Sequence, residues 1–179
     1  MIKGYFLDPG FALAARWVLA VVFILALNHK LKAPLVFQAT LQNYRLVPEP
    51  LLAPASYVIM ILEIAAVAGL VANSPVGSGL AAALLTAYTT AISINLIRGR
   101  LDIDCGCSGP AIRQTLSITL VYRNVGLISL AILTLATSNP RPLTLLDWFT
   151  AIAAVATFIL LYFAATYLSA SSTRFNRSH

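Results

Sequence analysis

The stretch LLAPASYVIMILEIAAVAGLVA, residues 51–72, carries a single charged side chain, Glu63, in an otherwise largely apolar run. About 20 residues, rising about 1.5 Å each, cross a hydrocarbon core of about 30 Å. Lipid offers no partner to backbone N–H and C=O groups, so an open chain crosses as a helix. The stretch therefore reads as a transmembrane helix, and the chain as an all-α integral membrane protein.

Working outward, four more apolar runs are long enough to span: Phe11–Asn28, Gly77–Ile97, Leu116–Thr137 and Leu143–Leu168. The breaks between runs carry turn chemistry, at Asn73-Ser74-Pro75, Ser108-Gly109-Pro110 and Ser138-Asn139-Pro140-Arg141-Pro142. Residues 1–168 are expected to form one transmembrane helical domain, and Ser169–His179 a loose polar tail. The segment from Pro34 to Pro50 differs. Phe37, Leu41 and Tyr44 recur at helical spacing beside Gln38, Gln42 and Arg45, with Pro34 suited to a first turn and Pro48 and Pro50 as stops. Two readings stand here: a short amphipathic helix on the membrane surface, or an ordinary connecting loop.

Composition agrees with the membrane reading. The chain is 59% hydrophobic and 10% charged, with a mean hydropathy of +0.85; soluble domains are about 25% charged. The net charge of +6 does not point to nucleic acid, because the basic residues are scattered at the ends of apolar runs. Lys3 precedes an apolar run as in a signal peptide, but Asn28-His29-Lys30 offers no small-x-small cleavage site, so an uncleaved first helix is expected. No internal repeat or low-complexity segment is evident.

Five spans leave Lys30, Lys32, Arg45, Arg98, Arg100, Arg113, Arg174 and Arg177 on one side, and Lys3 and Arg141 on the other. By the positive-inside rule the richer side is cytoplasmic. That side also carries Arg98-Gly99-Arg100-Leu101-Asp102-Ile103-Asp104-Cys105-Gly106-Cys107-Ser108-Gly109, which holds both cysteines of the chain. A disulfide across one intervening residue closes a small ring of poor geometry, and strained bridges are the more readily reduced. Gly106 tolerates the unusual backbone. Cys107 precedes Gly109-Pro110 and the next helix, and a helix N-terminus lowers a thiol pKa. Arg98, Arg100 and Arg113 favour thiolate, while Asp102 and Asp104 oppose it. This balance suits a redox couple better than an inert packed pair, since inert cysteines prefer apolar burial. A metal site needs more soft ligands than His29 and His179 add, so no metal is expected.

An ionisable group at the depth of Glu63 is expensive and a functional candidate. Arg16 enters the first span from the side nearest Glu63, so a Glu63–Arg16 pair is expected, chiefly as a structural clamp. The functional alternative for Glu63 is a proton site or a ligand for a quinone head group. Arg123 and Asn124 lie about two turns into the fourth span. There Arg123 either stabilises a thiolate, a sulfur-containing substrate or a quinone oxygen, or snorkels to the interface. Thr86, Thr89, Thr90, Ser93 and Asn95 give the third span a polar stripe, expected to join helices.

In order, Tyr44-Arg45-Leu46-Val47-Pro48, Leu62-Glu63, Arg98-Gly99-Arg100, Asp104-Cys105-Gly106-Cys107-Ser108-Gly109 and Arg123-Asn124 resemble the methylamine utilisation protein MauE family, within a wider DoxX-like group of redox-associated membrane proteins. The resemblance runs from about Arg16 to about Leu135; the CGC-x-G element after Arg-Gly-Arg is its most specific part. Ser108 stands where many members are expected to carry an aromatic residue. The resemblance implies a DoxX-like four-helix transmembrane bundle, to which this chain adds a fifth C-terminal helix, in the bacterial cytoplasmic membrane. It further implies a role in maturing methylamine dehydrogenase, whose exported small subunit is rich in disulfides, with a membrane-tethered thioredoxin-like partner of the MauD kind. Cys105 and Cys107 would exchange a disulfide with that partner, and Arg100, Asp104 and Arg123 would tune or position the pair. No cofactor is required; two cysteines cannot form a relay across the bilayer, so transfer into it would call on a quinone or a partner. Exported clients place the cysteines outside and the charge count places them inside, so sidedness stays open. Two rivals remain: a non-enzymatic scaffold of a maturation complex, and a DoxX-type quinone-linked oxidoreductase of small sulfur compounds.

Overall fold

The structure, a computed structural model, describes residues 8–100, 116–135 and 142–175. Among these, the regular elements are all helical: α1 (Pro9–Lys32), α2 (Pro34–Tyr44), α3 (Leu52–Val71), α4 (Pro75–Ile97), α5 (Ile118–Leu133) and α6 (Leu145–Phe175), with one 3-10 turn, Glu49–Leu51, leading into α3. Helices α1, α3 with its leading turn, and α4 are long and apolar enough to cross a membrane; α5 and the Leu145–Leu161 part of α6 are shorter apolar stretches. Ile61, Leu62 and Ile64 of α3 stay exposed beside the buried Met60 and Glu63. A helix apolar on every side suits lipid rather than water. This is a membrane protein.

Local chemistry sets where the helices start and stop. Proline opens α1, α2 and α4, where its missing N–H costs nothing. Asp8 caps α1, accepting from the Gly10 N–H at 2.8 Å, and Ser74 caps α4, accepting from the Val76 N–H at 3.3 Å. Helix α3 ends on Asn73, in the left-handed region at φ 61°. There the Ser74 N–H donates to the Gly69 carbonyl (2.9 Å) and the Asn73 N–H to that of Leu70 (3.1 Å), a Schellman closure. Helix α4 ends the same way on Gly99, φ 69°, with Arg100 N–H on Asn95 and Gly99 N–H on Leu96, both at 3.0 Å.

Packing joins α1 to α3 and α6, and α4 to α3 and α5. Leu19, Phe23, Ala66, Leu70, Ala81 and Leu85 form the main core, and Tyr44, Ile92, Leu116 and Leu120 a second cluster where α2 meets α4 and α5. Trp17 and Trp148 meet edge to face, centroids 5.5 Å apart, and fasten α6 to α1. At the α3–α4 hairpin the backbones touch through Gly69 and Gly77; a Cβ on Gly69 would lie 2.6 Å from the Gly77 Cα. Small residues permit this approach in lipid, where dispersion has to hold helices together.

Boundaries differ from the sequence reading, and the fourth run is helical over Ile118–Leu133 rather than Leu116–Thr137. Helix α1 runs past Asn28 to Lys32, because nothing before Pro34 breaks it. The Pro34–Pro50 segment is helical over Pro34–Tyr44, and its Phe37 and Tyr44 are buried against the bundle while Leu35 and Val36 are exposed. Helix α6 continues past Leu168 to Phe175, since serine and threonine in a helix already under way do not stop it as glycine or proline would.

Replacing Gly69 by Leu is expected to force α3 from α4 and lower stability by about 1–3 kcal/mol. Gly79, with nothing within 4 Å of a built Cβ, serves as the control, and Gly79→Ala is expected to leave stability unchanged or slightly raised. Thermal unfolding of the detergent-solubilised variants checks this; equal losses at the two positions would remove the close-approach argument.

Candidate functional site

Helices α1 and α3 run antiparallel. Arg16, early in α1, meets the end of α3, and Lys30, late in α1, meets its middle. Each Cα–Cβ bond leans toward its own helix N-terminus, so the side chains of Lys30 and Glu63 lean toward one another. They form a buried ion pair, with Lys30 3% and Glu63 0% exposed. Tyr88 of α4 completes the group: its hydroxyl donates to Glu63 Oε1 at 2.6 Å and accepts from Lys30 Nζ at 3.1 Å. Lys30 Nζ also stands 4.8 Å from the ring centroids of both Phe37 and Tyr88. Glu63 Oε2 is buried with no hydrogen-bond partner among the described residues.

The expected Glu63–Arg16 pair does not form. Arg16 Nη1 donates to the backbone carbonyl of Asn73 (3.3 Å) and to its side-chain oxygen, and Nη2 donates to the Thr134 carbonyl at 2.9 Å. Thr134 in turn donates to Ala131 O and bonds Ser78 Oγ. Arg16 thus sits on the C-terminal ends of α3 and α5, where the helix dipole favours a cation. Glu63 lies about 15 Å of helix rise below Asn73, out of reach. Lys30 and Tyr88 are the partners of Glu63 that sequence reasoning missed; Lys30 was counted among the basic residues of the following loop. Its signal was register: Leu19, Phe23 and Lys30 share one face of α1, four and then seven residues apart.

Arg123 and Asn124 of α5 line the same space as Lys30, Glu63 and Tyr88. It is a cavity of about 420 Å³ between α1, α3, α4, α5 and α6, walled otherwise by Phe23, Leu25, Leu127, Phe158 and other apolar side chains. Asn124 is buried, Arg123 half-buried, and Arg123 Nε has no hydrogen-bond partner among the described residues. The structure therefore brings Glu63, Arg123 and Asn124 around one space. Lys30 and Tyr88 also border a smaller cavity, about 190 Å³, roofed by Phe37, Leu41 and Tyr44 of α2.

Arg100 Nη1 donates to the Asn43 carbonyl at 3.2 Å, tying the end of α4 to the end of α2. Arg98-Gly99-Arg100 is thus a helix stop followed by a tether. Asp104, Cys105 and Cys107 lie outside the described residues, as do Asp102 and Arg113. Among the described residues the threonines of α4 bond within their own helix: Thr86, Thr89 and Thr90 donate to the carbonyls of Ala82, Leu85 and Thr86, one turn back.

Lys30→Met, which leaves the Glu63 carboxylate buried without its counter-charge, is expected to cost about 3–5 kcal/mol. The Lys30→Met/Glu63→Met double variant is expected to regain most of that, measured as thermal unfolding in detergent. A double variant no more stable than the single would show that the pair is not coupled.

The family model for methylamine utilisation protein MauE matches residues 9–137. The Paracoccus denitrificans protein named methylamine utilization protein MauE is 34% identical over 175 residues, covering 96% of this chain and 94% of that protein. The Methylorubrum extorquens protein of the same name is 35% identical, covering 71% of this chain and 69% of its own. One from Methylophilus methylotrophus is 30% identical, covering 88% and 85%. No solved structure matches. With a buried ion pair at its centre and relatives matched over most of its length, this chain belongs to the MauE family of methylamine utilisation proteins.

Proposed function

We propose that this chain is a multi-pass protein of the bacterial cytoplasmic membrane that assists maturation of methylamine dehydrogenase through thiol–disulfide exchange at Cys105 and Cys107. In this reading α1, α3, α4, α5 and α6 each cross the bilayer as a four-helix bundle with a fifth, C-terminal helix. The observation that supports it is the sequence spacing of both cysteines. In the sequence they stand one residue apart, five and seven positions past Arg100, whose side chain tethers the end of α4. The family's tie to methylamine utilisation supports a client in that metabolism.

The exchange is a two-electron step. A thiolate of a thioredoxin-like partner attacks one sulfur of the Cys105–Cys107 disulfide, forming a mixed disulfide and releasing the other cysteine as thiolate. The partner's second thiolate then resolves the mixed bond, so the partner leaves oxidised and Cys105 and Cys107 remain as thiols. The reverse sequence reduces the partner, and the two reduction potentials set the direction. A membrane-tethered partner of the MauD kind, acting in turn on the dehydrogenase small subunit, fits this chemistry. The step itself needs no cofactor in this protein.

Direct exchange with an exported partner requires the cysteines on the outer face. The count of basic residues argues for the inner face, but that count loses weight. Lys30 is held by Glu63 inside the bundle, and Arg100 by the Asn43 carbonyl. Both have structural reasons to be basic.

Cys105→Ser and Cys107→Ser are each expected to abolish disulfide formation in the dehydrogenase small subunit while the protein stays in the membrane. One of the two single variants is expected to trap a mixed disulfide with the partner on a non-reducing gel. Labelling of intact cells with a membrane-impermeant thiol reagent, appearing only after mild reduction, would place the pair outside as a disulfide. Normal client oxidation in the double serine variant would overturn the reading and favour a scaffold.

A further inference from the structure

The cavity of about 420 Å³ holds two features that the fold does not explain. Glu63 Oε2, an acceptor on a fully buried side chain, has no hydrogen-bond partner among the described residues, and neither has Arg123 Nε, a donor. Buried polar atoms are nearly always paired, and leaving one unpaired costs about 1–3 kcal/mol. Two further buried atoms, Arg16 Nε and Asn95 Oδ1, also lack a partner among the described residues, but their side chains are anchored through their other atoms: the Arg16 Nη atoms on Asn73 and Thr134, and Asn95 Nδ2 on the Ala91 carbonyl. Glu63 and Arg123, alone of the four, line one space, whose size of about 420 Å³ lies within the range of about 300–1,000 Å³ typical of small-molecule sites.

The chemistry of the lining narrows the occupant. The walls are Val22, Phe23, Leu25, Leu127, Phe158 and Leu161, so the ligand is apolar over most of its surface and comes from the bilayer. At the polar end Arg123 and Asn124 offer donors, and Glu63 Oε2 requires a donor from the ligand. A fatty-acid carboxylate supplies acceptors only and would set a second carboxylate against Glu63. A phospholipid head would bring its charges into the middle of the bundle. A lipid-soluble hydroquinone meets the requirement, one hydroxyl donating to Glu63 Oε2 while another ring oxygen accepts from Arg123; the oxidised quinone keeps the contact to Arg123 alone. We propose that this cavity, ended by Glu63, Arg123 and Asn124, binds the ring of a membrane quinone or hydroquinone. The inference concerns binding alone and does not rest on the cysteine chemistry.

The test uses the full-length protein in nanodiscs and decylubiquinone, with its reduced form, as the probe. Saturable binding is expected by calorimetry, together with protection of cavity residues from a photoreactive azidoquinone mapped by mass spectrometry. Arg123→Gln is expected to weaken binding about tenfold, as loss of a charged hydrogen bond does. Gly126 lines the cavity, and a Cβ built there meets nothing within 4 Å, so Gly126→Phe should fill the space, fold normally and abolish binding. The Cys105→Ser/Cys107→Ser double variant is expected to bind as the unaltered chain does, which separates this inference from the exchange reading. Absence of saturable binding, equal displacement by oleate or phospholipid, unchanged affinity in Gly126→Phe, or photolabel outside the cavity would each overturn it.

Discussion

The bilayer provides no hydrogen-bond partners, and the organisation of this bundle follows from that. A polar atom placed in the middle of such a protein must be met by another part of the chain. The ends of α3 and α4 are closed by Schellman bonds, so the last carbonyls are not left to lipid. Arg16 reaches across to the terminal carbonyls of α3 and α5 and, in doing so, sets the height at which three helices meet. The threonines of α4 return their hydroxyls to their own backbone rather than wait for a neighbour. Lys30, Glu63 and Tyr88 bond one another at the centre, where each would be costly alone.

Against that background the unpaired atoms are informative. A buried pair is a weak source of stability, because desolvation of both partners offsets most of the attraction. Lys30 and Glu63 are thus poorly explained as mere glue: an apolar pair of similar volume would hold α1 to α3 at least as well. Their position at the edge of two cavities, together with Arg123 and Asn124, gives the charge a place to act.

Much of this was legible in the sequence, and the remainder was hidden for physical reasons. The apolar runs marked the helices because length and hydropathy are set by bilayer thickness, and Glu63 stood out because charge at that depth is rare. Arg123 and Asn124 stood out in the same way. What the sequence did not show was which residue answers Glu63. Counting depth along straight helices favoured Arg16, but the side chains of antiparallel helices lean toward each other, and a lysine reaches farther than its Cα suggests. Arg16 was unavailable besides, since its guanidinium matches the carbonyls of two helix ends. The α2 segment was ambiguous because a short helix with an apolar row reads alike whether it faces lipid or a bundle; only Phe37 and Tyr44 packed inward decide it.

The same misreading of Lys30 bears on topology. The positive-inside rule assumes that a basic residue near a span end is free to respond to the machinery that orients the chain. A lysine carried inside the last turn of α1 and neutralised by Glu63 is not such a residue in the folded protein. Arg100, tied to the Asn43 carbonyl, likewise joins two helix ends as well as adding charge. Lys32, Arg45, Arg98, Arg113, Arg174 and Arg177 still count toward the inner face, six against Lys3 and Arg141, a weaker vote than the whole set. In a chain with so few charged residues, each one that serves the interior is one fewer for orientation. The topology of such a protein is therefore better argued from the chemistry required of its loop than from the tally of its lysines and arginines.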